Sequence, residues 1–179
     1  MFGKGLRKPS SVRVAGKRLS DILEAHERFA RAADGGARAE LSGANLARVD
    51  FAGAVLTHAN LSGARLEGAC LREAKLTSAD LSAAKMNKAD LRTCDATGAN
   101  FAGADLTEAD LSGAELFRAD FTGCVMRKLS GRAANFRQAV LRNADLTGAD
   151  LNVASLRQTD LEGARLDGAD MQTSIVRKV

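Results

Sequence analysis

The chain has 179 residues, 45% of them hydrophobic, and its formal net charge at pH 7 is +4. Trp and Tyr are absent and Phe contributes only seven residues, so an interior built mainly from Ala and Leu replaces the mixed core of an ordinary globular domain. Because no run reaches the roughly 18 apolar residues of a membrane span, and no apolar stretch opens the chain, we expect a cytoplasmic protein without a membrane span or secretory signal.

The first predicted element is a basic, flexible tail over residues 1–19. The segment carries six Lys and Arg residues and no acidic residue, and it also contains Gly, Ser and Pro. Such a composition is typical of a solvated charge run. The alternative is weak binding to nucleic acid or to another acidic surface, because the cations can displace counterions from phosphates.

The second element is a capping helix over residues 20–36. Ser20 can act as its N-cap, and Gly35 and Gly36 end the helical pattern. We expect the apolar face of this helix to cover two large apolar residues close behind it in the chain, Leu41 and Leu46. That face is formed by Ile22, Ala25, His26, Phe29 and Ala33.

The third element is a repeat of five residues over residues 37–179. From Leu41 to Met171 a large apolar residue recurs at every fifth position, and only Ala96 and Gly131 depart among 27 such positions. The residue two places earlier is Ala at 22 of the 27 positions, and the residue between is usually Asp or Asn. A period of five fits neither a helix nor a strand, so the chain must form a coil with two inward residues per repeat and Asx side chains at its corners.

Repeats such as residues 79–83 (Ala-Asp-Leu-Ser-Ala) and 109–113 (Ala-Asp-Leu-Ser-Gly) closely resemble the A(D/N)LXX signature of the pentapeptide-repeat family. The resemblance extends over residues 39–173. It implies an all-β solenoid, a right-handed quadrilateral β-helix of about seven coils with four pentapeptides in each coil. Its structural core would include Leu81, Phe101, Leu111 and Phe121.

Motifs for chemistry are absent from the sequence. The Asp residues recur with the period of the repeat, and His26 and His58 are interpreted as structural. The cysteines are three in number, so they cannot all pair within the chain, and they show no CxxC spacing. We therefore predict a protein that is not an enzyme, with no catalytic residues, no cofactor and no metal.

The repeat departs most from its pattern over residues 125–132. Gly131 replaces the central Leu, and Leu129 replaces the small Ala two places earlier. We expect a bulge or a short bent segment here.

Basic residues are concentrated between residues 118 and 142, where Asp120 is the one acidic residue. We predict a basic band that binds a partner, beside an acidic end of the rod, with the outward Phe117 as an exposed anchor. The basic members of this band are Arg118, Arg127, Lys128, Arg132, Arg137 and Arg142.

At the C-terminal end we predict a homodimer in which Met171, Ile175 and Val176 pack against their copies, because an open edge of backbone groups tends to pair. The alternative is that the last residues fold back over their own coil.

The leading functional prediction is an interaction scaffold with an unknown protein partner. The family resemblance implies a first alternative, since some members mimic B-form DNA and bind and protect DNA gyrase or a related topoisomerase. Such members have a strongly acidic surface, whereas residues 39–179 carry 17 basic and 18 acidic residues, a net charge of −1. The second alternative is binding of nucleic acid or an acidic surface through the tail and the basic band.

Overall fold

The structure is a computed structural model in which residues 5–174 are described. It opens with an N-terminal unit. This unit comprises a 3-10 turn over Pro9–Ser11, the paired antiparallel strands β1 (Arg13–Val14) and β2 (Lys17–Arg18), and the helix α1 (Leu19–Ala30).

From Glu40 onward the chain winds into coils of 20 residues. Each bridging residue pairs in parallel with the residue 20 positions later, as Glu40 does with Asn60. The bridges fall on every fifth residue, so a coil contributes one rung to each of four ladders. The predicted all-β solenoid is confirmed, although single bridges rather than longer strands build its ladders. We number its faces by their first bridging residue: face 1 begins at Glu40, face 2 at Asn45, face 3 at Asp50 and face 4 at Val55.

A tight turn joins each face to the next. In the first of them the Ala44 N–H donates to the Leu41 carbonyl at 3.1 Å. The third residue of every turn from Gly43 to Gly168 has a positive φ, as at Gly43 (62°) and Arg48 (58°). This is the backbone of a type II turn, which explains why Gly is frequent at that place in the repeat.

Asp and Asn at the bridging positions stabilise these turns, as the sequence predicted. The Asp80 carboxylate accepts the Ser82 N–H at 3.0 Å, and the Asp110 carboxylate accepts the Ser112 N–H at 2.9 Å. Each Asx side chain thereby satisfies a backbone donor that the corner would otherwise leave open.

The interior is a continuous apolar column. Every central residue of the repeat from Leu41 to Leu156 is buried, including the departures Ala96 and Gly131. Phe101 and Phe121, one coil apart, stack with ring centroids 4.7 Å apart and planes 4° apart. Leu81, Phe101, Leu111 and Phe121 are all fully buried. Each buried Leu or Phe contributes about 1.5–3 kcal/mol relative to an exposed one.

The N-terminal unit is joined to the first coil by backbone hydrogen bonds. The Arg7 N–H donates to the Arg48 carbonyl at 2.6 Å, and the Asp50 N–H donates to the Arg7 carbonyl at 2.9 Å. One coil later, the Cys70 N–H donates to the Val49 carbonyl in the same way. Arg7 therefore supplies to face 3 the acceptor that a preceding coil would have supplied.

The predicted flexible tail over residues 1–19 is wrong for the part that the structure describes. Val12 and Leu19 are buried in the same apolar cluster as the solenoid core, and the Leu19 N–H donates to the Val12 carbonyl at 2.8 Å. The basic side chains between residues 5 and 19 remain exposed. Composition alone indicated a tail because the two buried apolar residues are few among many polar ones.

The helix also differs from its predicted bounds. It runs from Leu19 to Ala30, and Arg18 is the N-cap residue, without a side-chain cap. Ser20 instead donates its hydroxyl to Asp21. The helix ends early because Ala32 adopts a φ of 51°.

The predicted inner face of α1 is confirmed only in part. His26 is fully buried and Ile22 is partly buried, but Phe29 is 39% exposed. Phe29 stacks on the His26 ring, with centroids 5.6 Å apart, rather than covering Leu41 and Leu46.

The expected bulge over residues 125–132 is wrong. Ser130 forms its normal bridge to Asp150, and the Gly131 N–H donates to the Asp150 carbonyl at 2.7 Å. The Leu129 side chain is fully buried. It reaches the space beside Gly131, because a Cβ atom at Gly131 would lie 3.3 Å from Leu129 Cδ2. The large and small residues have exchanged places without disturbing the backbone.

Candidate interaction surface

The outward side chains stand in columns because each coil repeats the backbone of the previous one. At the corner between faces 4 and 1, the residue type changes along the column that begins at Thr57. Its first three residues are threonines and its last three are Phe117, Arg137 and Arg157.

Three members of the predicted basic band are neutralised by the next coil. Arg127 Nε lies 2.6 Å from Asp145 Oδ2, Arg132 Nη1 lies 3.0 Å from Asp150 Oδ2, and Arg142 also pairs with Asp160. In each pair the carboxylate follows the arginine by 18 residues. An arginine just after the central residue thus reaches the bridging Asp one coil away.

The ion pairs lower the pKa of carboxylates that take part in them. Hydrogen bonds from the Thr147 hydroxyl and from Arg127 lower the pKa of Asp145 to about 2. The Arg142 guanidinium likewise lowers the pKa of Asp160, and Asp160 raises the pKa of Arg142. The charges at these corners therefore compensate each other.

Arg118 and Arg137 have a different environment. Neither makes an ion pair within residues 5–174, and both are exposed. Arg137 has Ser155, not Asp, 18 residues later. Arg157, which is not a member of the predicted band, is also exposed and makes no ion pair among the described residues.

Hydrogen bonds connect the side chains at this corner. Arg118 Nε donates to Gln138 Oε1 at 2.8 Å, and Gln138 Nε2 donates to Gln158 Oε1 at 2.9 Å. The Arg118 guanidinium also lies 4.8 Å from the Phe117 ring centroid. We call this group the arginine corner, and it consists of Phe117, Arg118, Arg137, Gln138, Arg157 and Gln158.

The predicted band therefore does not form one patch. Its members lie on all four corners of the rod, and the arginine corner contains only Phe117, Arg118 and Arg137 of them. Phe117 is partly buried rather than exposed. Lys128 is exposed at the corner that also carries Arg127. Position within the 20-residue coil, rather than distance along the sequence, determines this separation.

Face 1 is acidic, in contrast to the arginine corner. Its rungs alternate between acidic and neutral residues along most of the rod, and Asp80 and Asp120 make no ion pair among the described residues. The acidic residues of this face are Glu40, Asp80, Asp120 and Asp160.

The remaining reactive side chains are buried. Cys94 and Cys124 occupy the inward position that Ala usually fills, and burial raises the pKa of each thiol to about 12. Burial also raises the pKa of Cys70, and all three are free thiols. Within residues 5–174 no group of side chains is arranged to hold a metal ion.

The helix of the described region is too short to cross a membrane. Clefts of about 440 and 550 Å³ lie beside the N-terminal unit, the first against α1 and the second against Lys8 and Arg72.

Comparisons with known proteins agree with the observed repeat. A family model described as pentapeptide repeats matches eight copies, over residues 37–72, 74–113, 114–152 and 134–172. A search of curated proteins finds no match to the chain.

Several solved structures match part of the chain. A trypsin-treated variant of QnrB1, a plasmid-mediated fluoroquinolone resistance protein, is 25% identical with a TM-score of 0.68, and the match covers 79% of this chain and 78% of QnrB1. Full-length QnrB1 is 22% identical with a TM-score of 0.53, covering 78% and 80% of the two chains. The pentapeptide repeat protein Rfr23 from the cyanobacterium Cyanothece 51142 is 28% identical with a TM-score of 0.39, covering 55% and 64%.

Proposed function

The chain belongs to the pentapeptide-repeat family, and we propose that it is a non-enzymatic scaffold that binds a protein partner through its outward columns. The observation that carries this proposal is the unbroken series of bridges from Glu40 to Asp170. It fixes the outward side chains at a spacing of about 4.8 Å along the axis. A surface held in this way loses little conformational entropy when a partner binds.

The charge distribution supports a scaffold with distinct faces. Face 1 carries unpaired carboxylates at Asp80 and Asp120, while the arginine corner carries unpaired guanidinium groups, all among the described residues. At other corners several Arg and Asp side chains pair between coils, as at Arg132 and Asp150. The unpaired charges of face 1 and of the arginine corner can attract a charged partner over a distance.

We further propose that the solenoid is right-handed, has about seven coils, and is capped by the N-terminal unit. Support for the cap comes from Arg7, which occupies the backbone position of a preceding coil, and from His26, whose Nδ1 accepts the Ala39 N–H at 3.0 Å. Without these partners the first coil would leave donors open and its core exposed.

The scaffold function is tested by affinity purification from the native cell with two baits. One is the wild-type chain, and the other carries Asp80→Asn and Asp120→Asn together with Arg137→Gln and Arg157→Gln. Asn keeps the Oδ1 acceptor that the turns need, so the variant remains folded. We expect a partner that the wild type enriches and the variant loses. Equal recovery of every protein by both baits would contradict the proposal.

The second candidate function is protection of DNA gyrase or a related topoisomerase. Two observations favour it: the 25% identity to QnrB1 over 79% of the chain, and the carboxylates of face 1. Because these carboxylates occupy alternate rungs, they recur about every 10 Å along the axis. An acidic column of this kind can occupy a basic groove that otherwise receives DNA.

A supercoiling assay with purified gyrase and a fluoroquinolone tests this second candidate. We expect the wild-type chain to restore supercoiling and the Asp80→Asn, Asp120→Asn variant to restore less. The matched control is Asp95→Asn with Asp105→Asn, which removes two carboxylates from faces 4 and 2. No restoration by the wild type would exclude gyrase protection while leaving the scaffold proposal standing.

Homodimer formation and weak nucleic-acid binding by the basic N-terminal residues stay predictions, as does a cytoplasmic location. Among the predicted dimer residues, Met171 is partly buried, and Ile175 and Val176 lie outside the described residues.

A further inference from the structure

We propose that the arginine corner is a docking site for an acidic segment of a protein partner, one that presents two or three carboxylates close together. This inference rests on the scaffold function proposed above and names the chemistry of one partner surface.

The arginine corner differs from the other arginine-bearing corners of the same coils. Arg127, Arg132 and Arg142 each have a carboxylate 18 residues later and pair with it. Arg137 has Ser155 at that distance, and its neighbours on faces 4 and 1 are Asn135 and Val140, which are uncharged. Its guanidinium makes no ion pair with any carboxylate of the described residues.

The side-chain hydrogen bonds of the arginine corner all run in the same direction along the rod. Arg118 donates to Gln138 and Gln138 donates to Gln158, so each side-chain oxygen of the arginine corner already accepts one hydrogen bond. The groups left free are the Arg118 Nη atoms and the Gln158 amide nitrogen, which only donate. With the guanidinium groups of Arg137 and Arg157, the corner presents an array of donors. Its ligand must supply several acceptor oxygens and negative charge, as carboxylates do.

Part of the arginine corner is preorganised. The Arg118 side chain is held by Gln138 on one side and by the Phe117 ring on the other. Arg137 and Arg157 stand one coil apart in the next column, about 4.8 Å along the axis. The backbone positions of the three arginines thus span about 10 Å along the axis, a length that a short peptide segment can cover. Phe117 adds a partly exposed apolar surface for a side chain of the same segment.

The surroundings favour a peptide over nucleic acid. Glu115, Asp120 and Asp160 border the corner on its two adjoining faces. A DNA duplex carries about one charge per 1.7 Å and extends well beyond the corner, so its phosphates would approach these carboxylates. A segment of a few residues can place its carboxylates on the arginines and avoid the acidic rungs.

A binding measurement with a defined probe tests the proposal. Fluorescence anisotropy of a fluorescein-labelled octaglutamate peptide is measured with the full chain at low and at physiological salt. The test variant is Arg137→Gln with Arg157→Gln. The control is Arg127→Gln with Arg132→Gln, which removes the same charge from paired arginines. We expect the test variant to weaken binding about tenfold and the control to weaken it less than about threefold.

The outcomes are distinct once circular dichroism has established that both variants are folded. Equal weakening by the two variants would mean that net charge alone attracts the peptide, and the proposal would be overturned. Tighter binding of a labelled eight-nucleotide single strand than of the peptide would assign the corner to nucleic acid and also overturn it. If the wild type does not bind the peptide but still enriches a partner from cells, the docking site fails while the scaffold function stands.

Discussion

Leu129 fills the space that the missing side chain of Gly131 leaves. A Cβ atom at Gly131 would lie 3.3 Å from Leu129 Cδ2, and only 2.9 Å from Leu151 Cδ2 in the next coil. The two departures from the repeat are therefore one compensated exchange, in which a large side chain two residues earlier replaces the central one.

This relationship predicts strong coupling between the two positions. Leu129→Ala removes a fully buried side chain and leaves a cavity, which costs about 2–5 kcal/mol of unfolding free energy. Gly131→Leu overpacks the interior against Leu129 and Leu151, at a cost of about 1–3 kcal/mol. The double variant restores the usual repeat. Its loss of unfolding free energy should therefore be smaller than the sum of the two single losses by at least about 2 kcal/mol. Denaturant unfolding gives the unfolding free energy of the wild type, the two single variants and the double variant. If the two single losses add up to the loss in the double variant, the compensated exchange is contradicted.

The second prediction concerns the inward register. Leu111→Asp places a charge without a partner in a fully buried position and interrupts the apolar column, which costs several kcal/mol. We expect the cooperative thermal transition to be lost. Thr107→Asp, at a corner of the coil one repeat earlier, is the matched control and should melt close to the wild type. A Leu111→Asp protein that also melts near the wild type would refute the inward assignment.

The solenoid could be predicted well from the sequence because the same pentapeptide pattern occurs in almost every repeat. Each pentapeptide specifies the same two inward residues and the same Asx-stabilised turn. With four pentapeptides in each coil, Phe101 and Phe121 are one coil apart in the core, where their rings stack. A single atypical repeat does not change this outcome, because the coils on both sides fix its backbone. The bulge expected at Gly131 was wrong for that reason.

The non-repeating features were harder to predict. The helix end depends on the positive φ of Ala32, and the docking of residue 7 on Arg48 and Asp50 is a contact between segments distant in sequence. The arginine corner needed the spacing of 18 residues that separates Arg127 from Asp145. That spacing depends on the side-chain directions at the corners, which composition and charge counts do not contain.

The third prediction is a pH dependence of the N-terminal unit. His26 Nδ1 accepts the Ala39 N–H, so the ring must be neutral there, and burial lowers the pKa of His26 from its ordinary 6.5. Because the folded pKa is lower than the unfolded one, the stability that neutral His26 contributes is fully present above pH 6.5 and declines as pH falls through the folded pKa.

Hydrogen exchange of residues 19–41 between pH 7.5 and 5.5, corrected for the intrinsic exchange rate, measures this effect. Protection should fall with acidification in the wild type and in a His58→Gln control, whose imidazole is exposed. In His26→Gln, protection should be lower but independent of pH. A His26→Gln protein that retains the wild-type slope would assign the effect to another group.

The last prediction concerns the C-terminal end of the rod. Leu161, Leu166 and Met171 are partly exposed, whereas every earlier central residue from Leu41 to Leu156 is buried. A second copy packed end to end would bury these side chains and pair the backbone groups of the last coil. We therefore expect light scattering to give a dimer mass at tens of micromolar, and Met171→Asp to give a monomer because it places a charge in the interface. The neighbouring Gln172→Asp, at an exposed position, should remain dimeric. A monomer mass for the wild type would rule this interface out, and a dimer that persists in the Met171→Asp protein would place it elsewhere on the rod.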